Sequence, residues 1–260
     1  MKKPSDGTRH MRNLKKIYRK FLRNRLILAF IDIKPQNLPR IMPFVRQYKK
    51  YKSISTEQIS VAPILGDDTT TTNIDPHYFY QAIWTAKHIA QTHPPEHVDI
   101  GSQAQFVASL TVLTKVKFVD IRPLDVKLEN LTNTKGSILD LPFSDNSIDS
   151  LSCLHVAEHI GLGRYGDKLD PEGTKKACQE LTRVLAKDGN LYFSLPIGRE
   201  RTEFNAHRIH QPQTIIDYFS GLTLIEFSAI NDRGHLVLNA RPLDFKNSQY
   251  GCGLFHFKRT

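Results

Sequence analysis

Residues 97–102 read His97-Val98-Asp99-Ile100-Gly101-Ser102, a short apolar strand that runs directly into a glycine turn. Residues 104–110 then place apolar side chains at helical spacing, and a second strand is predicted over residues 116–121 with Asp120 near its end. Strands that alternate with helices are typical of a parallel α/β sheet. This stretch therefore predicts a Rossmann-like, doubly wound α/β fold.

The same alternation continues on both sides of this stretch. Asp75 is placed to cap a helix that has Pro76 in its first turn and ends before Pro94-Pro95. The remaining predicted elements are a helix over residues 171–185 and strands over residues 147–154, 190–195, 222–230 and 254–257. Residues 73–260 are expected to form one domain of this class.

Residues 34–72 are rich in Pro, Lys, Ser and Thr. Prolines at 35, 39, 43 and 63 predict a linker without long regular elements. Together with the residues before it, this linker makes up a predicted N-terminal appendage, residues 1–72.

Composition excludes several classes of protein. With 260 residues, 40% of them hydrophobic and 24% charged, the chain can bury a core, which argues against disorder. Its three cysteines are odd in number and lack C-x-x-C spacing, so neither a disulfide framework nor a metal site is expected. The apolar run Leu26–Ile31 is too short to span a bilayer or to act as a secretion signal. We expect a cytoplasmic protein.

The net charge of +10 is unevenly distributed. Residues 1–52 contain 16 Lys and Arg against 2 acidic residues, which gives a charge of +14. Residues 53–260 contain the other 20 Lys and Arg and 24 acidic residues, which gives −4. Residues 8–31 have the pattern of a basic amphipathic helix. Such a helix can lie on an anionic membrane, dock on a partner or on the rest of the fold, or bind nucleic acid. Nucleic acid is the least favoured partner because the rest of the chain is acidic, so we expect peripheral membrane binding.

The pattern suits the binding of a nucleotide-like cofactor at the carboxyl ends of the strands. It consists of a strand, a glycine turn and a helix, followed by a second strand that ends in an acidic residue. Gly101 would let the ligand approach the backbone, and Asp120, about twenty residues further on, could accept hydrogen bonds from ribose hydroxyls. On this pattern alone, an ordinary strand-to-helix turn remains the alternative.

Three later segments extend the pattern. Residues 140–149 contain Asp140-Leu141-Pro142-Phe143, His155-Val156-Ala157-Glu158-His159 follows the next strand, and residues 180–191 form a helix, a Lys-x-Gly turn and a strand. In order and spacing, residues 97–196 resemble class I S-adenosylmethionine-dependent methyltransferases. The resemblance implies S-adenosyl-L-methionine as cofactor.

The resemblance also implies roles for individual residues. Asp99, Gly101 and Ser102 would line the methionine end of the cofactor, and Asp120 would hold its ribose. Asp140 and the Leu141 backbone would face the adenine, and His155 would close the pocket.

More narrowly, residues 159–167, 170–173 and 204–209 resemble a bacterial family of unknown function with a methyltransferase-like fold, associated with surface-polysaccharide biosynthesis. This resemblance implies O-methylation of a sugar or surface-glycan precursor, either a small molecule or a lipid-linked glycan.

An acceptor hydroxyl must lose its proton, which suits histidine near neutral pH. The candidate bases are His159, His207 and His210. Acceptor contacts are expected from the polar loop over residues 161–173 and from nearby basic or amide side chains: Arg164, Tyr165, Asp167, Asn205 and Arg208, with Arg199 and Arg201 as further anion-binding candidates.

Other interpretations remain open. Asp120 could cap a turn, and His155 and His159 could be core histidines. Residues 155–159 also match H-x-x-E-H, a zinc-hydrolase signature. Because the loop after the first strand contains a single glycine, Gly101, the domain could instead be a non-catalytic scaffold subunit in glycan assembly. The aromatic residues Tyr78, Phe79 and Trp84 are interpreted as packing.

Overall fold

The computed structural model describes residues 39–260, so the predicted basic helix over residues 8–31 lies outside the described part of the chain. The chain divides into two units, Met1–Asn73 and Ile74–Thr260. Within residues 39–260, no helix combines the length and the apolar character needed to cross a membrane.

The first unit contains helix α1, Ile41–Ile54, where the sequence predicted a linker without long regular elements. That prediction was wrong, and the position of Pro43 explains why. Pro43 is the third residue of α1, where a backbone N–H has no partner within the helix, so proline is tolerated there. The next proline is Pro63, well beyond the end of the helix.

The second unit follows the predicted alternation. Its helices are α2 Pro76–Thr92, α3 Ala104–Leu110, α4 Gly173–Val184 and α5 Pro212–Tyr218, and short 3-10 helices span Ala157–His159 and Pro242–Phe245. Its strands are β1 Glu96–Ile100, β2 Lys115–Asp120, β3 Leu131–Lys135, β4 Ile148–Leu154, β5 Leu185–Ile197, β6 Arg201–Glu203, β7 His207–Ile209, β8 Thr223–Ile230, β9 Leu236–Val237 and β10 Gly251–Lys258.

Eight strands form one sheet in the order β3-β2-β1-β4-β5-β10-β8-β9. Strands β1 to β5 pair in parallel, whereas β10 is antiparallel to both β5 and β8, and β9 is antiparallel to β8. The expectation of a parallel sheet therefore holds only for β1 to β5. Parallel neighbours need a long crossover, usually a helix, and no α-helix lies between β8 and β10.

The sheet is covered on both faces, as its burial pattern shows. Along β5, Leu191, Phe193 and Leu195 belong to one buried cluster, whereas Tyr192 belongs to a second cluster with Trp84 of α2. This alternation is the expected result of side chains that point to opposite faces of a strand.

The winding of the sheet marks one place for a ligand. From β1 the chain proceeds outward to β3 and then returns to β4 on the other side of β1. In doubly wound sheets, ligands bind at the carboxyl ends of the strands where the winding reverses. Here that point lies between the ends of β1 and β4. The predicted Rossmann-like fold is confirmed.

Candidate functional site

A cleft opens at this reversal point. It encloses about 710 Å³, including its open mouth, and Gly101, Asp120, Ile138 and His155 are among the residues that line it. We call it the strand-end cleft. Much of its wall is apolar, with Ile121 and Val156 among the other lining side chains. The shape suits a ligand with an apolar ring and a few polar groups.

Gly101 and Asp120 lie side by side in this cleft. Gly101 follows β1 with φ +67°, and a Cβ there would lie 3.2 Å from Asp120 Oδ2 and 3.2 Å from Val156 Cγ1. The Asp120 carboxylate also accepts a hydrogen bond from the Arg122 backbone N–H at 2.6 Å. Glycine therefore leaves room in which a ligand can approach both the backbone and the carboxylate.

Asp99 and Ser102 do not line the cleft but lie buried beside it. The Asp99 carboxylate accepts hydrogen bonds from the Ser102 backbone N–H at 3.0 Å and from the Ser152 hydroxyl. Ser102 Oγ accepts from the Leu154 backbone N–H at 3.1 Å. Burial raises the pKa of Asp99 to about 6, although these hydrogen bonds partly oppose the shift. In the structure these two residues join the end of β1 to β4.

Asp140 and Leu141 also lie outside the lining of the cleft. Asp140 is exposed, and the Leu141 backbone N–H already donates to Glu180 Oε1 at 2.7 Å. The cleft wall on this side is formed instead by the preceding residues, Ser137 to Leu139.

A second cavity adjoins the first. It encloses about 880 Å³ including open space, and His77, His155, His159 and His207 are among its lining residues, so we call it the histidine cavity. Both cavities are lined by Gly101, His155, His159 and Tyr165. A ligand in one cavity can therefore approach a ligand in the other.

His155 and Glu158 form a buried pair between the cavities. His155 Nδ1 lies 2.7 Å from Glu158 Oε1, and the Glu158 side chain is inaccessible to solvent. Burial alone would lower the pKa of His155, but the Cys252 sulfur and the Glu158 carboxylate outweigh it and raise that pKa. Burial likewise opposes ionisation of Glu158, yet His155 lowers its pKa.

The geometry of residues 155–159 differs from that of a helical H-x-x-E-H zinc site. His155 precedes the 3-10 helix instead of lying one α-helical turn before His159. Glu158 lies near both histidines, 2.7 Å from His155 Nδ1 and 3.8 Å from His159 Nε2. The segment therefore offers no arrangement in which both histidines bind a metal while the glutamate is free to act as a base.

The three predicted base candidates occupy different positions. His159 lines both cavities, and its Nδ1 lies 2.6 Å from the Ala206 carbonyl oxygen. His207 lines the histidine cavity. His210 lines neither cavity and is paired with Glu200 at 2.8 Å. The structure thus brings two of the three histidines to the site.

The predicted acceptor loop contributes at the rim. Tyr165 lines both cavities, and its ring lies below two guanidinium groups, 4.5 Å from Arg122 Cζ and 5.2 Å from Arg164 Cζ. Asp167 lines the strand-end cleft and accepts hydrogen bonds from the backbone of Gly161 and Tyr165, which fixes the loop.

The other predicted acceptor residues do not reach either cavity. Arg208 is buried and donates to the carbonyl oxygens of Ile160 at 2.5 Å and Asp170 at 2.9 Å, so it supports the loop from behind. Asn205 is exposed, as is Arg199. Arg201 pairs with Glu203 at 2.8 Å.

Helix α2 contributes residues that the sequence interpretation assigned to packing or left out. Tyr78 lines the histidine cavity and stacks on His155 with ring centroids 5.1 Å apart, whereas Trp84 is buried as expected and Phe79 is exposed. His77 stacks on His155 at 5.4 Å. The only sequence signal for these residues was the Asp75-Pro76 helix start. It predicts where the first turn of α2 begins but not which residues contact that turn.

Solved structures similar to this chain were found by comparison. A putative sarcosine dimethylglycine methyltransferase from Galdieria sulphuraria is 14% identical, with a TM-score of 0.50 over 70% of this chain and 86% of that chain. The [4+2]-cyclase SpnF is 11% identical, with a TM-score of 0.50 over 69% of this chain and 80% of that chain. These two likenesses show the class I methyltransferase fold.

A third structure is the N-methyltransferase NodS from Bradyrhizobium japonicum, solved in complex with S-adenosyl-l-homocysteine. It is 16% identical, with a TM-score of 0.48 over 69% of this chain and 84% of that chain. No curated protein sequence matches this chain.

One family model matches residues 105–251, which is more than half of the 260 residues. Its description names Caenorhabditis, which corrects the expected bacterial family, and mentions no role in polysaccharide biosynthesis. The matched range includes Asp120, His155 and His159 of the two cavities. The chain therefore belongs to the family described as Caenorhabditis protein of unknown function, DUF268.

Proposed function

We propose that the protein is an S-adenosylmethionine-dependent methyltransferase that methylates a hydroxyl group of a sugar or glycan precursor. The observation that carries this proposal is the pairing of Gly101 with Asp120 where the winding of the sheet reverses. Any side chain at residue 101 would fill the space next to the carboxylate, as the 3.2 Å approach of a Cβ to Asp120 Oδ2 shows. This is the space that a ribose with two hydroxyl groups needs.

The residues of the strand-end cleft fit the rest of such a cofactor. Asp120 would accept hydrogen bonds from the ribose, and the apolar wall that includes Ile121, Ile138 and Leu139 would cover the adenine ring. When bound, S-adenosylmethionine supplies an electrophilic methyl group. The main tasks of the protein are then to align the acceptor atom and to exclude water.

His159 is the residue best placed to take a proton from an acceptor hydroxyl. Its Nδ1 donates to the Ala206 carbonyl oxygen, which leaves the lone pair on Nε2. The Glu158 carboxylate, 3.8 Å from this nitrogen, would stabilise the imidazolium after proton transfer.

The rim of the histidine cavity fits a polar acceptor. Arg164 and Tyr165 line it, and Arg122 Cζ lies 4.5 Å from the centroid of the Tyr165 ring. An aromatic ring in contact with two guanidinium groups suits a sugar that carries a phosphate or carboxylate. The polar lining of the cavity, which includes Asp75, Glu158 and Arg164, supports a sugar as the acceptor.

Calorimetric titration with S-adenosylmethionine tests the cofactor part. We expect saturable binding that weakens roughly 10- to 100-fold in Asp120→Ala, since hydrogen bonds to a charged group are worth about 1.5–3 kcal/mol. Asp125→Ala is the matched control because Asp125 is exposed and lines neither cavity, so it should bind as the wild type does. No heat of binding at millimolar cofactor would contradict the proposal.

A radiolabelled methyl donor tests the acceptor part. Incubation of the protein with a glycan-precursor fraction should transfer label to the glycan in a form that resists mild base, as an ether does. Cofactor binding without any transfer would instead support the non-catalytic scaffold interpretation.

A further inference from the structure

Three metal-binding side chains from separate elements meet at one end of the histidine cavity. They are His77 in the first turn of α2, His155 at the end of β4 and Cys252 near the start of β10. One ring nitrogen of each histidine and Cys252 Sγ all lie within 4.8 Å of one another. The three side chains are buried, with 8%, 8% and 0% of the residue exposed.

His155 is oriented as a metal-bound histidine commonly is. Its Nδ1 is held by the Glu158 carboxylate at 2.7 Å, whereas its Nε2 is buried and has no hydrogen-bond partner. A carboxylate on one ring nitrogen fixes the tautomer and leaves the lone pair of the other nitrogen free for a metal.

The local charge also favours a cation. Glu158 is inaccessible to solvent, and its second oxygen, Oε2, has no hydrogen-bond partner either. A buried carboxylate needs compensating positive charge nearby. A protonated His155 can supply this charge, and a divalent ion on His155 Nε2 would take the place of that proton.

We propose that His77, His155 and Cys252 bind a zinc ion. Two imidazole nitrogens and one thiolate match the ligand preference of Zn²⁺, whereas Mg²⁺ and Ca²⁺ prefer oxygen ligands. Ligand atoms of a tetrahedral zinc ion with bonds of about 2.0–2.3 Å lie roughly 3.3–3.8 Å apart. The three atoms, which lie within 4.8 Å of one another, therefore need to approach by at most about 1.5 Å.

The site keeps one coordination position open. Both His77 and His155 line the histidine cavity, so the fourth position faces that cavity and would hold a water molecule or a polar group of a ligand. This proposal does not depend on the proposed methyl transfer, because metal binding is measured without the methyl donor.

Metal content of the full chain provides the first test. The full chain is first stripped of metal with a chelator and incubated with zinc, and gel filtration then removes the excess zinc. The chain should retain about one zinc ion. Zinc should also raise the melting temperature, since a ligand that binds only the folded state stabilises it. A folded wild-type chain that retains less than about a tenth of an equivalent would overturn the proposal.

Cobalt substitution identifies the ligands. The wild-type chain with Co²⁺ should show a thiolate-to-cobalt charge-transfer band, which Cys252→Ser should abolish and Cys178→Ser, at another buried cysteine, should leave intact. His77→Ala should lose most of the retained zinc, whereas His235→Ala, at an exposed histidine, should retain it.

Circular dichroism shows whether each variant is folded. If a folded Cys252→Ser chain keeps the band, or a folded His77→Ala chain keeps the full equivalent, the assignment is wrong. If a variant does not fold, the effect of zinc on the melting temperature of the wild type is the test instead. The absence of that increase would equally overturn the site.

Discussion

Gly101 is the residue on which the shape of the strand-end cleft depends. Its φ of +67° disfavours any side chain, and a Cβ would enter the space beside Asp120. We expect Gly101→Ala to lower the free energy of unfolding by about 1–2 kcal/mol, the cost of a left-handed alanine, and to weaken cofactor binding. Denaturant titration and calorimetry would measure both effects.

Gly221→Ala is the control for this substitution. A Cβ there would make an ordinary contact of 3.5 Å with Thr182 Cγ2, outside both cavities. If Gly101→Ala binds the cofactor as tightly as Gly221→Ala does, the ligand does not occupy the space beside Asp120.

Asp99 gives the protein a specific pH dependence. Burial raises its pKa from 3.8 to about 6, so the folded state binds more protons than the unfolded state between these values. Stability from this group is therefore fully present below pH 3.8 and is lost as the pH rises to about 6. Asp99→Asn should remove that loss.

The measurement is the free energy of unfolding of wild type and Asp99→Asn, compared at pH 4 and pH 7. Relative to the wild type, we expect Asp99→Asn to have a higher free energy of unfolding at pH 7 than it has at pH 4. Asp125→Asn should have the same free energy of unfolding as the wild type at both pH values because its side chain is exposed. A pH-independent difference for Asp99→Asn would contradict the buried-carboxyl interpretation.

At the scale of elements, helix α2 positions His77 and Tyr78 at the histidine cavity. The Asp75 carboxylate caps it by accepting from the backbone N–H of His77 at 2.9 Å and of Tyr78 at 3.4 Å. Asp75→Ala should cost about 1 kcal/mol of stability in denaturant titration, and Asp75→Asn, which can still cap, should cost much less. Equal losses would mean that the charge and not the cap matters.

Elements that depend on local sequence were predictable. The strand before Gly101, the acid at 120 and the Asp75-Pro76 helix start each express a short-range rule, and the structure has all three. Helix α1 was missed because prolines were counted without their position in a helical turn. The antiparallel pairing of β10 was missed because composition does not show strand direction.

The site was predictable only in part, for a similar reason. Gly101 and His155 directly follow strands and Asp120 ends one, and at these strand ends chain order implies proximity. The approach of His77 and Cys252 to His155 depends on where α2 and β10 pack on the sheet, and no short-range pattern encodes that. Whether a polar side chain supports the backbone, as Arg208 and Asp99 do, also depends on packing.

For the whole molecule, the uneven charge predicts where it binds. Residues 1–52 carry +14 against −4 for the rest, which favours an anionic membrane surface as a partner of the first part. The full chain should pellet with vesicles that contain phosphatidylserine, less so as salt increases. Replacing Lys15, Lys16, Arg19 and Lys20 with Gln should reduce pelleting, and unchanged pelleting would contradict the prediction.

The central claim is that the strand-end cleft holds the adenosyl cofactor. A crystal structure with S-adenosylhomocysteine tests it most directly. We expect the ribose hydroxyls within hydrogen-bond distance of the Asp120 carboxylate, with the adenine against the wall formed by Ile121, Ile138 and Leu139. A ligand bound elsewhere, or a cleft still empty at saturating S-adenosylhomocysteine, would contradict the claim.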